Sequence, residues 1–430
     1  MRLRDRLLKG TVLNLIAVVF NQGSTFAVNI VVARILMKQG FGEYAIVQST
    51  LLTMSTLSQL ATGYTAAKYV AEYRTVDPLR AGRIMGVCAR VSVVMAIVGT
   101  ILLIAMAPWL ADTMLKAPHL EFALIIGSGF IFFSSINGYQ TGALSGLEAY
   151  RSLVKAGVIS GIVTVAVISL CAWYEGLNGA ILGLGVSAFF RFAIHHRWLR
   201  IESRVQGIKP KYRGNLSQER TVILKFAIPA AMAGYYSIPM IWFGNSILVR
   251  QPGGYEEMAS YAVAINIKSL LLFAPIVISS VVSSILNNIK GSGNKSQYMF
   301  LYKYNVAFVF LTTLTTALVL GAFSTHVLGI FGKGFIAGKT ILLIVLASGV
   351  FEAVTGSIYQ LIQNAGRLWL SFISINLPLG PLFLISAFFL IPIHGAIGLG
   401  IANVIMTFLS LFLTAILAYY INRRENLGTQ

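Results

Sequence analysis

The chain has 430 residues, 57% of them hydrophobic and 11% charged, against roughly 45–50% and 25% in soluble domains. Apolar stretches of about 20 residues recur along its whole length, each long enough to cross a bilayer as a helix, which excludes an ordinary soluble protein. The excess of 33 Lys and Arg over 14 Asp and Glu, a net charge of +19, is therefore first a matter of which membrane face the charge occupies and only then of partners.

Windows bounded by charge, Gly and Pro predict twelve spans, at 11–35, 44–66, 84–107, 120–145, 153–174, 178–199, 222–249, 259–286, 303–324, 337–363, 369–391 and 395–421. The basic segment Met1 to Lys9 precedes a run longer than a signal h-region and without a small-residue cleavage site, so it is expected to remain as part of the first helix. With a cytoplasmic N-terminus, most Lys and Arg fall on the inner side; the exceptions are Arg34, Lys38, Lys116, Arg250, Lys268, Lys333 and Lys339. This agrees with the positive-inside rule and predicts that both termini are cytoplasmic. The expected fold is an all-α polytopic membrane protein, with an N-terminal six-helix lobe at 1–200, a basic cytoplasmic linker at 201–221 and a C-terminal six-helix lobe at 222–430.

The halves match weakly in the same order at an offset of about 217. Asn29-x4-Arg34 corresponds to Asn245-x4-Arg250, and Tyr44-Ala45-Ile46-Val47 to Tyr261-Ala262-Val263-Ala264. Further on, Tyr139-Gln140 with Gly146 corresponds to Tyr359-Gln360 with Gly366, and Gly179-Ala180-Ile181 to Gly395-Ala396-Ile397. Six is an even number of spans, so the lobes are expected to share one orientation and to be related by a pseudo-twofold axis along the membrane normal, with a cytoplasm-open cavity between them.

Enzyme motifs are absent on spacing. Gly332 to Thr340 has the look of a phosphate loop, but three residues separate Gly334 from Gly338 and five separate Gly332 from Gly338, where the motif needs four. The histidines have no metal-ligand spacing, and His195-His196 at a span end suits headgroup contact. Cys88 and Cys171 lie in apolar stretches and read as packing residues. Asn215-Leu216-Ser217 fits a glycosylation acceptor but falls in the predicted cytoplasmic linker. No metal or cofactor is expected.

Charge within the bilayer is the informative feature, since it usually faces a cavity or a partner. Lys268 lies in span 8 and Glu352 in span 10; they form either a structural Lys–Glu pair or a lumenal anion site at Lys268, with Glu352 the first candidate for coupling to a proton or sodium ion. Helical spacing places Tyr261, Pro275, Ser279 and Ser283 on the face of Lys268. Arg34 and Arg250 at the outer ends of spans 1 and 7 either snorkel to headgroups or face substrate. The same alternatives hold for Arg90 and Arg191 near the cytoplasmic mouth. Asn14, Asn21, Gln22, Thr25 and Asn29 on span 1, with Gln48, Ser55, Gln59 and Thr62 on span 2, either glue helices together or form a wall for sugar hydroxyls. Pro229, Gly234, Pro239 and Gly244 interrupt span 7, and Pro378 and Pro381 interrupt span 11.

Several of these features together resemble a family. Arg34 with Phe41-Gly42-x-Tyr44, Tyr69-Val70-Ala71-Glu72-Tyr73, Gly146-Leu147-Glu148 and Phe331-Gly332-Lys333-x-Phe335 resemble, in their order, polysaccharide (O-antigen) flippases of the Wzx type. Their superfamily also contains MATE exporters and lipid II flippases. The resemblance implies a non-enzymatic transporter in the bacterial inner membrane. Its cargo would be an undecaprenyl-diphosphate-linked oligosaccharide moved to the outer leaflet, and its partners membrane lipids, a polysaccharide polymerase and a chain-length regulator, but no nucleic acid. Lipid II flippases usually have two more helices and basic residues deeper in helices 1 and 2, whereas span 2 here has no interior cation. Ion-coupled MATE exporters commonly carry an acidic residue in helix 1, which this chain lacks. A small-molecule exporter of the same fold is the first alternative. A membrane glycan polymerase or ligase is the second, but it would need a large outer loop with catalytic residues.

Overall fold

The computed structural model describes the backbone of residues 3–211, 219, 227, 231, 236–291, 295–364 and 368–427. The side chains of 3–19, 21, 274, most positions from 276 to 296, 363–368 and 422–427 lie outside that description, as do Asn215, Ser217, Pro229, Gly234 and Gly366. Among the described residues every regular element is helical: α1 (Leu3–Gln59), α2 (Thr62–Tyr73), α3 (Pro78–Trp109), α4 (Glu121–Gly146), α5 (Tyr150–Val205), α6 (Ser237–Val249), α7 (Gly254–Gly291), α8 (Lys295–Ala322), α9 (Ser324–Phe331), α10 (Lys339–Asn364) and α11 (Leu377–Leu427). A single turn at Leu368–Ser371 and a π-helical turn at Phe372–Asn376 lead into α11. That π turn holds Ser374, whose carbonyl lies four residues before Pro378 and cannot sit against its ring, while Pro381 lies inside α11.

Six described runs are long and apolar enough to cross a membrane, and two of them, Tyr150–Val205 and Trp369–Ile421, have 56 and 53 residues. At 1.5 Å per residue each is roughly 80 Å long, more than twice the hydrocarbon core, so each is two spans joined by a kink. The chain is a multi-pass, all-α membrane protein. Its long helices break at Met37 (φ 58°, ψ −172°), Gly176 (φ 55°, ψ −128°) and Gly395 (φ 57°, ψ −132°). The first two lie between the expected spans 1 and 2 and 5 and 6, and Gly395 is the first residue of the expected span 12.

Gly176 and Gly395 share a backbone conformation that is essentially confined to glycine. Three residues on, Gly179 and Gly398 each sit where a Cβ would strike a carbonyl of the preceding span, that of Cys171 and that of Leu390 respectively. The two hairpins are thus the same device built twice. This corrects the register read from sequence: Gly395 is the counterpart of Gly176, and Gly179 pairs with Gly398. The Gly-Ala-Ile triplets at 179 and 395 coincide in composition while serving different positions in the turn.

The chain divides into two compact units, 1–36 with 43–238 and 37–42 with 239–430. The described part of the expected linker is ordered on the first unit. α5 runs on to Val205, Ile208 joins an apolar cluster with Ala81, Met85 and Leu144, and the Lys211 amide donates to the Gly82 carbonyl at 3.0 Å. Two sequence motifs meet at the same end: Arg74 pairs with Glu148 at 2.6 Å and donates to the Leu147 carbonyl at 3.0 Å, while Tyr69 stacks on Tyr73. Nearby Arg80 and Arg83 close on the buried carboxylate of Glu219.

In the second unit, residues 37–42 bring the other motifs together. Phe41 packs edge-on against Phe335 at 5.9 Å, Lys38 pairs with Glu256 at 3.4 Å, and Gly42 lies against the Tyr255 backbone. The phosphate-loop lookalike is a short 3-10 turn, Lys333–Gly338, which buries Phe335. Glu257, from the first turn of α7, accepts a hydrogen bond from the Ala396 amide, the helix start exposed by the kink at Gly395. An anion at that position also favours the helix dipole.

Gly395→Ala puts a Cβ in a glycine-only conformation, a cost of about 1–3 kcal/mol, and also drives it into the Glu257 carboxylate. Gly176→Ala bears the backbone cost alone. Thermal unfolding of the detergent-solubilised protein should show a loss for both variants and a larger one for Gly395→Ala; an unchanged midpoint in the latter contradicts this account of the hairpin.

Candidate functional site

The polar centre of the second unit is built on α7, α10 and α11, with α10 packed against both of the others. Lys268 lies two turns after Tyr261, so both point from one face of α7. The Lys268 ammonium meets the Glu352 carboxylate of α10 at 2.9 Å. Gly349, three residues before Glu352, leaves open the space that the Lys268 stem crosses; a Cβ there would come within 2.9 Å of its Cγ. Tyr261 is buried, and the Asn403 side chain of α11 reaches its hydroxyl. The Asn403 Oδ1 is itself buried with no hydrogen-bond partner among the described residues.

The pair is asymmetric. The Lys268 side chain is 10% exposed and that of Glu352 is 46% exposed. Lys268 has surrendered most of its hydration and depends on Glu352, whereas Glu352 retains an open side on which a proton, an ion or a solute can act. Of the two sequence-level readings, the ion pair is therefore present. An anion must compete with Glu352 for the lysine, or wait for Glu352 to be neutralised.

The other predicted site residues are divided between the two units. Arg34, Arg90, Arg191, Gln22, Asn29, Gln48 and Gln59 belong to the first unit, and Arg250 to the second. Arg34 and Arg250 are exposed at helix ends, and Arg90 is half-buried. Arg191 reaches the Thr164 hydroxyl at 3.5 Å, and its carbonyl accepts a hydrogen bond from His195 at 2.9 Å. Gln48 donates to the Tyr44 hydroxyl at 3.2 Å, Asn29 is buried and Gln22 half-buried. The Asn14 and Asn21 side chains lie outside the described residues, as do those of Ser279 and Ser283.

Span 2 carries a feature that sequence reading missed. Its helix breaks at Leu60 and Ala61, both with left-handed φ, 44° and 50°. Half-buried Gln59 is the last residue before the break and its side chain lies against Gly138 of α4. Thr62, a candidate for a sugar-binding wall, is instead spent on helix packing, sharing a 2.7 Å hydrogen bond with Ser92; Ser55 is buried, and its backbone carbonyl accepts a hydrogen bond from Ser135 at 3.2 Å. Among the described residues no cluster of His, Cys, Asp or Glu is arranged to hold a metal, and Cys88 and Cys171 are both free.

Residues 7–286, more than half of the chain, match the family model described as polysaccharide biosynthesis protein. The chain belongs to this family. A curated relative is the stage V sporulation protein B of Bacillus subtilis strain 168, 21% identical over 286 residues, covering 63% of this chain and 54% of that protein. A second is a probable multidrug resistance protein NorM of Idiomarina loihiensis, 23% identical over 232 residues, covering 50% and 49%. The chain thus spans about half the length of the curated relatives it matches.

The fold of this family member is that of the MATE transporters. A multidrug resistance MATE family transporter of the MOP superfamily, solved inward-facing, superposes with a TM-score of 0.79 at 16% identity, over 94% of this chain and 96% of that one. A MOP superfamily transporter from Pyrococcus furiosus, solved in work reporting a reversed polarity of its binding pocket, gives 0.65 at 15% identity over 97% and 96%.

Removing Glu352 strands a desolvated ammonium, whereas removing Lys268 leaves a half-exposed carboxylate. Glu352→Ala should therefore cost more stability than Lys268→Ala, though less than the roughly 3–5 kcal/mol of breaking a fully buried pair. Gly349→Leu should behave like Glu352→Ala by pushing the Lys268 stem aside. Thermal midpoints of the purified variants check this ordering; a larger loss in Lys268→Ala reverses the assignment of the dependent partner.

Proposed function

We propose that this member of the polysaccharide biosynthesis family is a flippase. Its cargo would be an undecaprenyl-diphosphate-linked oligosaccharide, carried by alternating access from the cytoplasmic to the outer leaflet of the bacterial inner membrane, with both termini in the cytoplasm. The observation that carries this reading is the Lys268–Glu352 pair, a membrane-depth cation held by a carboxylate that is 46% exposed, in a chain of this family. A bilayer charge of this kind is costly and is retained where ions or charged substrates pass.

In this reading the diphosphate competes for the Lys268 ammonium, and neutralising Glu352 with a proton frees the lysine for the anion. Tyr261 and Asn403 border the pair with hydrogen-bonding groups suited to sugar or phosphate oxygens. Arg90 and Arg191 draw the anion from the cytoplasmic side, and Arg34 and Arg250 meet it at the outer face. Gln22, Asn29, Gln48 and Gln59, together with Asn21, offer polar contacts to the glycan, while the prenyl tail stays in lipid. ATP is not required: moving about two negative charges outward across roughly 150 mV, inside negative, releases on the order of 7 kcal/mol at about 2.3 kcal/mol per charge per 100 mV. A polysaccharide polymerase and a chain-length regulator are the expected partners downstream.

Export of a small molecule is the second reading, favoured by the relative named as a multidrug resistance protein. The two separate cleanly in a deletion strain. Lys268→Ala should reduce surface polysaccharide severalfold and Lys268→Glu should reduce it further, with protein levels unchanged and drug susceptibility unaltered. Normal polysaccharide in both variants would sink the site, and drug sensitisation with normal polysaccharide would replace a flippase with an exporter.

A further inference from the structure

The cytoplasm-directed end of α5 carries a second cationic feature, distant in sequence from Lys268. His196, Arg200, Ser203 and Arg204 are spaced i, i+4, i+7 and i+8, so one helix face presents all four. The helix then closes in a reversal: the Ile208 amide donates to the Ser203 carbonyl at 2.9 Å and the Gly207 amide to that of Arg204 at 3.1 Å, with Gly207 at φ 69°. This is the paired capping pattern that glycine permits, and the apolar residue after it, Ile208, is buried as the pattern requires. The reversal brings Lys209 and Pro210 back over the same face. Together these residues line an open cavity of about 430 Å³, with Leu199 and Ile208 in its lining.

Three observations point to its occupant. Ser203 is 2% exposed, lines the cavity, and its hydroxyl has no hydrogen-bond partner among the described residues. Arg200, Arg204 and Lys209 make no ion pair among the described residues, and the acid on this turn, Glu202, accepts its hydrogen bond from Ser152 instead. A helix C-terminus attracts cations, but its partial charge is only about half a unit, so three leave an excess for a ligand. Ser203 also lies about 40 Å along the helix from the Gly176 kink at 1.5 Å per residue, beyond a core of about 30 Å, which puts the cavity at headgroup level. Exposed Ile201 and Val205 on the same turns offer apolar surface beside it.

We infer that this cavity binds a phosphate group, the Ser203 hydroxyl donating to a phosphate oxygen and Arg200, Arg204 and Lys209 balancing its charge. Two sources share that chemistry: the headgroup of an anionic phospholipid, as basic pockets at the cytoplasmic boundary commonly take, and a soluble phosphate. The test measures binding of fluorescent phosphatidylglycerol to the full-length delipidated protein in detergent, alone and in competition with inorganic phosphate. Wild type should bind saturably, Ser203→Ala about tenfold more weakly, the loss of one hydrogen bond to a charged group, and Arg200→Gln/Arg204→Gln more weakly still. Lipid binding that millimolar phosphate does not displace assigns the site to a headgroup. Phosphate binding, read as a rise in the thermal midpoint that Ser203→Ala abolishes, without lipid binding assigns it to a soluble phosphate. If the double variant does not fold, Ser203→Ala and Lys209→Gln decide the matter. Equal affinity in wild type and these two, or binding of neither probe, overturns the inference.

Discussion

Hydrocarbon supplies no water, so every polar group that a membrane helix carries inward must find its partner within the protein. That constraint organises both units. Where the chain carries hydroxyls, they mostly turn back to their own helix, as Thr50, Thr313 and Thr355 do to carbonyls one turn earlier. Where it carries a full charge, the remedy is tertiary: Lys268 crosses from α7 to Glu352 on α10 over the gap left by Gly349. The pair is a chemical liability held in place by packing. Its half-open carboxylate is where outside chemistry can act on it.

Much of the architecture follows from the sequence because bilayer thickness is a strict ruler. Apolar windows of the right length match the long helices among the described residues; the kinks at Met37 and Gly176 fall in gaps between windows and that at Gly395 on the first residue of the last window. The internal repeat was also legible, but its register at the last hairpin slipped by three residues. Gly-Ala-Ile recurs by composition, and the real equivalence lies in backbone geometry that letters do not encode. Lys268 and Glu352 stood out as charges within spans and their pairing was one of two readings; that they do pair depends on which faces of α7 and α10 pack together. Gly349, spaced three residues before Glu352 on the same face, was the one local signal that went unused. The break at Leu60 and Ala61 had no signal of its own, since neither residue is Gly or Pro and the strain is borne by surrounding packing.

The charge of +19 resolves into parts with different physical roles. Some cations are structural, such as Arg74 on Glu148 and Arg80 with Arg83 on Glu219. Lys268 is committed to Glu352. A third group, Arg200, Arg204 and Lys209, surrounds a cavity without carboxylate partners among the described residues. The sum hides this division between cations spent on packing and cations without a carboxylate partner among the described residues.

Family membership and fold narrow the activity without naming the cargo, because the same fold serves proteins described as multidrug transporters. The most direct test is transport itself: purified protein reconstituted into liposomes holding a fluorescent undecaprenyl-diphosphate oligosaccharide, with translocation followed by its accessibility to an external quencher. The account predicts movement severalfold faster than in protein-free liposomes, lost in Lys268→Glu and at least partly recovered when Glu352→Lys is added to restore the pair in reverse. Movement at the protein-free rate, or equal rates in wild type and Lys268→Glu, would contradict it.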